Sequence, residues 1–292
     1  MVARSPRVRP VGPMLVAGAG ALWGTIGVAA KAVFRYGISP TDVALWRAGG
    51  AFALLLAVAL LVRRDAFRIA PGDLPLFAVH GAVGVAVFMT VYLTAIRLST
   101  VATAAMLLYT APAWVTLLAR LLFNEPLGPR KLAAVLCTVA GSALVVRAYD
   151  PAALRLNLPG VLAGLTAGLT YALYSVIGKH ALRRYAPFTT VFFALGFGAV
   201  FLLLALRRWP ALPSPAALPG VLYLALVPTL LAYLLYTTGL GLMEAGRASI
   251  VATVEPVVAA LLGVLLLGEI FDGWQWLGGG LVLTGVALSR WG

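Results

Sequence analysis

Glu255 lies in the run SIVATVEPVVAALLGVLLLGE at 249–269, and no other acidic residue falls between Glu244 and Glu269. A carboxylate deep in a hydrocarbon layer costs at least about 2.5–3.5 kcal/mol, so it has to be protonated, paired or in contact with water. Such a group could bind a proton or a substrate ammonium. It could equally cap freed backbone, or pair with a basic side chain such as Arg47, Lys179 or Arg247. The residue alone does not choose between these roles.

Aromatic residues supply the other candidate chemistry. Tyr171 and Tyr174 share a helix face at i, i+3, with Ser175 at i+4 from Tyr171; Phe88 and Tyr92 share another, as do Met106 and Tyr109. Trp23 follows Gly20 and precedes Gly24 and Gly27, small residues that allow helices to approach closely. Trp209, Trp274, Trp276 and Trp291 stand at the ends of apolar runs, where an interfacial belt is the plain reading. Trp23, Tyr92, Tyr109, Tyr171 and Tyr174 lie deeper, where a hydroxyl or indole N–H wants a partner, and are the candidate substrate-binding side chains. Pro112 and Pro256 each interrupt an apolar run. Each lacks an N–H and would free the carbonyl four residues earlier, at Leu108 and Ala252, so both are candidate hinges or gates.

Other chemistries are missing their parts. Cys137 is the single cysteine, excluding an intramolecular disulfide and a CxxC metal site, and its apolar surroundings predict an inert buried thiol. His80 and His180 are too far apart in sequence to suggest a metal cluster, and no cofactor motif appears. Asp42, Asp65, Asp73, Asp150 and Asp272 fall at the ends of apolar runs, so a facing pair of intramembrane aspartates is not available for proteolysis. His80 is expected to be a satisfied structural histidine, and no GxSG sequence accompanies it. An intramembrane enzyme is therefore disfavoured. A channel stays open, and saturable, competable flux would separate it from a carrier.

The elements that must position these residues follow from composition. Hydrophobic residues make up 62% of the chain and charged residues 11%, against roughly 45–50% and about 25% in soluble domains. Lipid must cover part of that surface. An excess of Lys and Arg would suggest nucleic acid in a soluble protein, but here the basic residues flank apolar runs, as membrane orientation requires. The runs predict ten helices near 13–34, 41–63, 73–95, 99–122, 128–147, 158–179, 187–207, 217–239, 245–268 and 273–291. The first resembles a signal peptide, with Arg4, Arg7 and Arg9 ahead of it, but is too long and is read as a retained helix. With both termini cytoplasmic, fourteen Lys and Arg fall on the cytoplasmic side. Eight fall opposite: Lys31, Arg35, Arg47, Arg97, Arg147, Arg155, Arg207 and Arg208. That bias predicts a multi-pass protein of the cytoplasmic membrane with both termini inside.

The sequence also repeats. Shifted by 144, residues 92–125 overlay 236–269 without a gap and with ten of 34 positions identical, among them Tyr92/Tyr236, Pro112/Pro256 and Glu125/Glu269. At a shift of 148, Trp23 to Lys31 lies opposite Tyr171 to Lys179. The expected organisation is two five-helix units, 1–148 and 149–292. An odd number of spans per unit forces opposite insertion, an arrangement common in secondary transporters.

These residues carry a family resemblance. Ala21-Leu22-Trp23-Gly24, Pro40 with Arg47, Leu108-Tyr109-Thr110-Ala111-Pro112 running to Glu125-Pro126-Leu127, and Glu255-Pro256-Val257-Val258-Ala259-Ala260 running to Leu267-Gly268-Glu269 resemble the EamA-type members of the drug/metabolite transporter superfamily. Within it the chain looks most like the YddG-type exporters of aromatic amino acids. The resemblance implies a ten-helix basket, alternating access, a cavity between the halves, and helices 5 and 10 at the periphery. Its substrates would be amino acids with aromatic or bulky apolar side chains, with organic cations and other drug-like compounds as the alternative. Ala111 stands where the second half has Glu255, so the carboxylate has no symmetric twin.

Overall fold

The computed structural model describes residues 11–99, 101–145, 148–150, 158–267 and 272–288. Glu269, Trp291, Arg4, Arg7, Arg9, Arg147, Arg155 and Arg290 lie outside the described residues, as does the side chain of Met106. Among the described residues every regular element is helical. Six stretches are long and apolar enough to cross a membrane: Val11–Phe34, Pro40–Leu61, Pro71–Leu98, Leu158–Ala181, Pro187–Leu206 and Leu218–Gly241.

Three of these six are interrupted. The first expected helix is two, α1 (Val11–Trp23) and α2 (Ile26–Phe34), parted at Gly24-Thr25. After α3 (Pro40–Leu61), α4 (Leu74–Gly81) passes through a π-helical turn, Ala82–Val87, into α5 (Phe88–Leu98). The run expected at 99–122 holds α6 (Val101–Leu108) and α7 (Ala111–Phe123), and α8 (Pro129–Val145) follows. Then come α9 (Leu158–Ala181), α10 (Pro187–Leu206) and α11 (Leu218–Ala225). A second π turn, Leu226–Leu231, leads from α11 into α12 (Ala232–Gly241). The run expected at 245–268 holds α13 (Ala245–Ala252) and α14 (Val254–Leu267), and α15 (Gly273–Leu288) ends the described chain.

The breaks correct the expectation of continuous helices, and their cause is local. At each one a threonine hydroxyl donates to the carbonyl three residues back: Thr25 to Leu22 at 2.7 Å, Thr110 to Leu107 at 2.8 Å, Thr253 to Ile250 at 2.6 Å. This tightens a turn and competes with the α ladder. Pro112 and Pro256 consequently sit in the first turns of α7 and α14, where a missing N–H is tolerated, rather than inside a bent helix.

Glycines let the broken helices meet. A Cβ on Gly20 would stand 2.7 Å from the Ala252 carbonyl oxygen, and one on Gly24 2.9 Å from that of Glu255, so α1 lies directly against the break between α13 and α14. A Cβ on Gly168 of α9 would stand 2.6 Å from Thr110 Oγ1, at the break between α6 and α7. α8 packs lengthwise on α15, with Gly141 against the Gly278 carbonyl and Gly285 against that of Ala134. Leu136, Trp276 and Leu283 on this pair are exposed. Cys137, expected to be buried, is only partly so.

One end of the molecule is tied by charge. Glu125 accepts the backbone N–H groups of Ala245 and Gly246 at 2.8 and 3.2 Å, capping α13. Lys131 bridges Glu125 and Glu244, both at 3.0 Å, and Arg247 reaches Glu244 at 3.5 Å. Lys179 donates to the Leu240 and Met243 carbonyls at 2.9 and 2.6 Å, so neither it nor Arg247 serves Glu255. At the opposite end Asp42 binds Arg208 and accepts the Ala211 N–H at 2.9 Å, while Trp46 donates to the Ala211 carbonyl at 2.8 Å.

Candidate functional site

The three helix breaks open onto one cavity. Trp23 and Ile26 flank the first, Leu108 ends α6 at the second, and Glu255 occupies the first turn of α14 beyond the third. Arg47, Phe88, Tyr92, Tyr171, Tyr174 and Tyr233 complete the lining. A second cavity adjoins it, lined by Tyr109, Ala111, Pro112, Ser249, Ala252 and Thr253, and shares Leu108, Tyr171 and Glu255 with the first. Both are tight. Trp23, Tyr92, Tyr109, Tyr171 and Tyr174 are each at most 8% exposed.

The rings form a connected cage. Trp23 meets Tyr171 and Tyr233 edge-on, both with centroids 5.9 Å apart, and lies 5.1 Å from Tyr236. Phe88 stacks on Tyr92 at 6.0 Å with planes 3° apart and reaches Tyr171 at 5.9 Å. Tyr174 meets Tyr233 at 5.2 Å. These separations and tilts are those that the ring quadrupole favours. Hydroxyls are held as well: Tyr236 pairs with Ser175 at 2.7 Å and Tyr174 with Thr237 at 3.2 Å. The Tyr109 hydroxyl is buried and finds no hydrogen-bond partner among the described residues.

Charge enters through Arg47 and Glu255. Arg47 is 1% exposed, its Nε donating to Thr229 Oγ1 at 3.0 Å. Its place corrects the expectation that it flanks a span: it faces the cavity, and the eight opposite-side basic residues less Arg47 leave seven. No ion pair within 4.0 Å joins Glu255 to Arg47, although both line the same space. Glu255 instead stands at a helix N-terminus, where the peptide dipoles favour a carboxylate.

Of the candidate residues named from sequence, Trp23, Tyr92, Tyr171, Tyr174 and Glu255 line the first cavity, while Tyr109 and Pro112 line the second. Pro256, next to Glu255 in the first turn of α14, is buried but lines neither. Sequence reasoning missed Tyr233 and misplaced Arg47. A signal existed for Arg47, seven residues past Pro40 and so about two turns into an apolar helix. His80 is fully buried and packs on Tyr174, ring centroids 4.6 Å apart. Among the described residues no group of His, Cys, Asp and Glu is arranged to hold a metal.

Known proteins with the same pattern are membrane transporters. The EamA-like transporter family matches residues 10–147 and again 158–291. An inner membrane transporter of Salmonella typhimurium, YicL, is 28% identical across 92% of both chains. An Archaeoglobus fulgidus transporter is 32% identical over 69% of this chain and 72% of its own. A Streptantibioticus cattleyicolor protein named as a probable terminal-alkyne amino-acid exporter is 25% identical over 87% of this chain and 84% of its own. A crystal structure overlays on 96% of both chains with a TM-score of 0.80 and 21% identity, a likeness of fold alone. With two matches spanning nearly its whole length, this multi-pass membrane protein belongs to the EamA-like transporter family.

Proposed function

We propose that the chain is a secondary carrier exporting amino acids with aromatic or bulky apolar side chains by alternating access. The observation that carries this reading is the cage of Trp23, Phe88, Tyr92, Tyr171, Tyr174 and Tyr233 around a cavity that also holds Arg47 and Glu255. Ring-on-ring contact is worth about 0.5–1.5 kcal/mol beyond area burial, so each contact gives a preference of up to roughly tenfold for an aromatic side chain. The amino-acid exporter among the relatives points the same way.

The carrier would have ten spans in two five-helix units, 1–148 and 149–292, inserted with opposite orientation. The family match at 10–147 and 158–291 supports that reading, as do the π turns at Ala82–Val87 and Leu226–Leu231, spaced by the same 144 residues as the sequence repeat. Both termini would face the cytoplasm. In a Cys137→Ala background, Tyr36→Cys and Ala216→Cys, both at exposed sites of the Asp42–Arg208 end, should react with an external impermeant thiol reagent. Labelling only after lysis would reverse the orientation.

Substrate choice is tested by counterflow in liposomes. Tyr171→Leu and Tyr109→Leu keep bulk and remove the ring, so phenylalanine and tryptophan transport should fall several-fold more than methionine or leucine transport. Equal losses for all four would reduce the tyrosines to packing. Preferential flux of aromatic organic cations would favour cation–π capture by the same rings. Glu255 would hold a proton or the substrate ammonium. If it couples transport to protons, Glu255→Gln should remove dependence on a pH gradient while exchange persists.

A further inference from the structure

We infer that Arg47 is the subsite for the substrate's carboxylate, held in position by the π turn of the second half. The inference deepens the amino-acid reading above and rests on it. It begins at Pro228. That residue has no N–H to give the Leu224 carbonyl four residues earlier, and the helix passes it in a π turn, Leu226–Leu231. The Thr229 hydroxyl donates to the Leu224 carbonyl at 2.7 Å and accepts from Arg47 Nε at 3.0 Å. With its donor proton committed to Leu224, the Thr229 oxygen can only accept from Arg47. The guanidinium is thereby fixed by its Nε edge, across 182 residues of chain.

This leaves the two Nη groups. No described acceptor takes them, yet Arg47 is 1% exposed and lines the cavity. A buried guanidinium without a counter-ion is expensive, and a charged side chain at such depth marks a substrate or ion pathway. The paired nitrogens present the planar fork that matches a carboxylate. Glu255 faces the same cavity without closing on Arg47, so a carboxyl group and a guanidinium share a space walled by rings. A zwitterionic α-amino acid supplies the missing partner to each, carboxylate to Arg47 and ammonium to Glu255, with its side chain left among the rings. An amine lacking the carboxylate would leave the Nη groups unpaired, the condition under which polar sites discriminate most strongly.

The test is competition against labelled L-phenylalanine counterflow in liposomes. The competitors are unlabelled L-phenylalanine, 2-phenylethylamine, 3-phenylpropionate and L-alanine. The wild-type protein should prefer phenylalanine over phenylethylamine by about 10- to 100-fold, the range of a charged hydrogen bond lost. Arg47→Gln should bring the two to within about threefold, and Thr229→Val should lower the preference part of the way. A folded Arg47→Gln protein with the wild-type preference overturns the inference. So does a wild-type protein for which phenylethylamine competes as well as phenylalanine, a result that does not depend on any variant folding. Alanine competing as well as phenylalanine, with phenylethylamine still weak, would instead sink the aromatic reading and leave Arg47 as a carboxylate site. No saturable phenylalanine flux at all would remove both.

Discussion

Residues 74–145 and 218–288 carry the same order of helical elements and differ in chemistry. Each stretch runs from a helix through a π turn into a second helix, then through a broken helix into a last one. The π turns and the breaks recur at a spacing of 144. Yet Ala111 in the first stretch meets Glu255 in the second, Met89 meets Tyr233, and Lys131 meets Gln275. The order of elements recurs and the charge does not. The breaks supply a cavity at the meeting point of several helices, and side chains on only some of the equivalent positions give it polarity. α1–α2 and α9 extend the contrast: the first is broken at Gly24-Thr25, while α9 continues from Leu158 to Ala181.

The largest expected effect separates Lys131 from Gln275. Lys131 joins two carboxylates, so Lys131→Met should cost about 3–5 kcal/mol by leaving the buried Glu125 without its cation, while Glu244 keeps Arg247. Gln275→Met removes a neutral side chain whose Oε1 accepts the Asp272 N–H at 3.2 Å, leaves the bond from its own backbone N–H to Asp272 in place, and should cost about 1 kcal/mol. Thermal unfolding in detergent measures both. Equal losses would mean the charged network ties nothing that the neutral end lacks.

A middle-sized effect compares Gly20 with Gly168, residues matched at a spacing of 148. Alanine at Gly20 meets a backbone carbonyl oxygen at 2.7 Å and should destabilise by about 1–3 kcal/mol. Alanine at Gly168 meets the Thr110 hydroxyl at 2.6 Å and the Leu107 carbonyl oxygen at 3.1 Å, and moving that hydroxyl breaks its bond to Leu107, so its cost should be similar. Gly49→Ala, with nothing within 4 Å, is the control and should be neutral or slightly stabilising. A neutral Gly20→Ala would mean α1 is not held against the break.

The smallest stability effect belongs to the prolines. Because both lie in first turns, Pro112→Ala and Pro256→Ala should each change stability by less than about 1 kcal/mol. Turnover per folded molecule should nonetheless fall several-fold if these breaks flex during transport. Unchanged turnover in both variants removes the hinge proposal.

Much of this architecture was legible because apolar length and proline spacing are one-dimensional signals. Trp23, Tyr92, Tyr171, Tyr174 and Glu255 could be singled out since depth in an apolar run is itself readable, and the structure sets all five around one cavity. The breaks were not legible as breaks. Thr25, Thr110 and Thr253 read as ordinary polar residues until their hydroxyls are seen turned onto their own backbone. Arg47 was misread for a related reason. A basic residue near a helix start looks like an interfacial flank, and only its bond to Thr229, far along the chain, turns it inward. The π turns depend on which carbonyl each N–H finds, a choice that residue types constrain weakly.

The central claim is that the cavity between the broken helices is the substrate site and opens to each side in turn. Ile26 lines it and is 5% exposed, and it makes neither of the charged contacts. In a Cys137→Ala background, Ile26→Cys should react with an impermeant thiol reagent applied from either face of an oriented liposome, slowly from both. L-phenylalanine should protect it and L-alanine should not. Reaction from one face only, or reaction that phenylalanine leaves unchanged while transport of phenylalanine continues, would place the substrate path elsewhere and contradict the account.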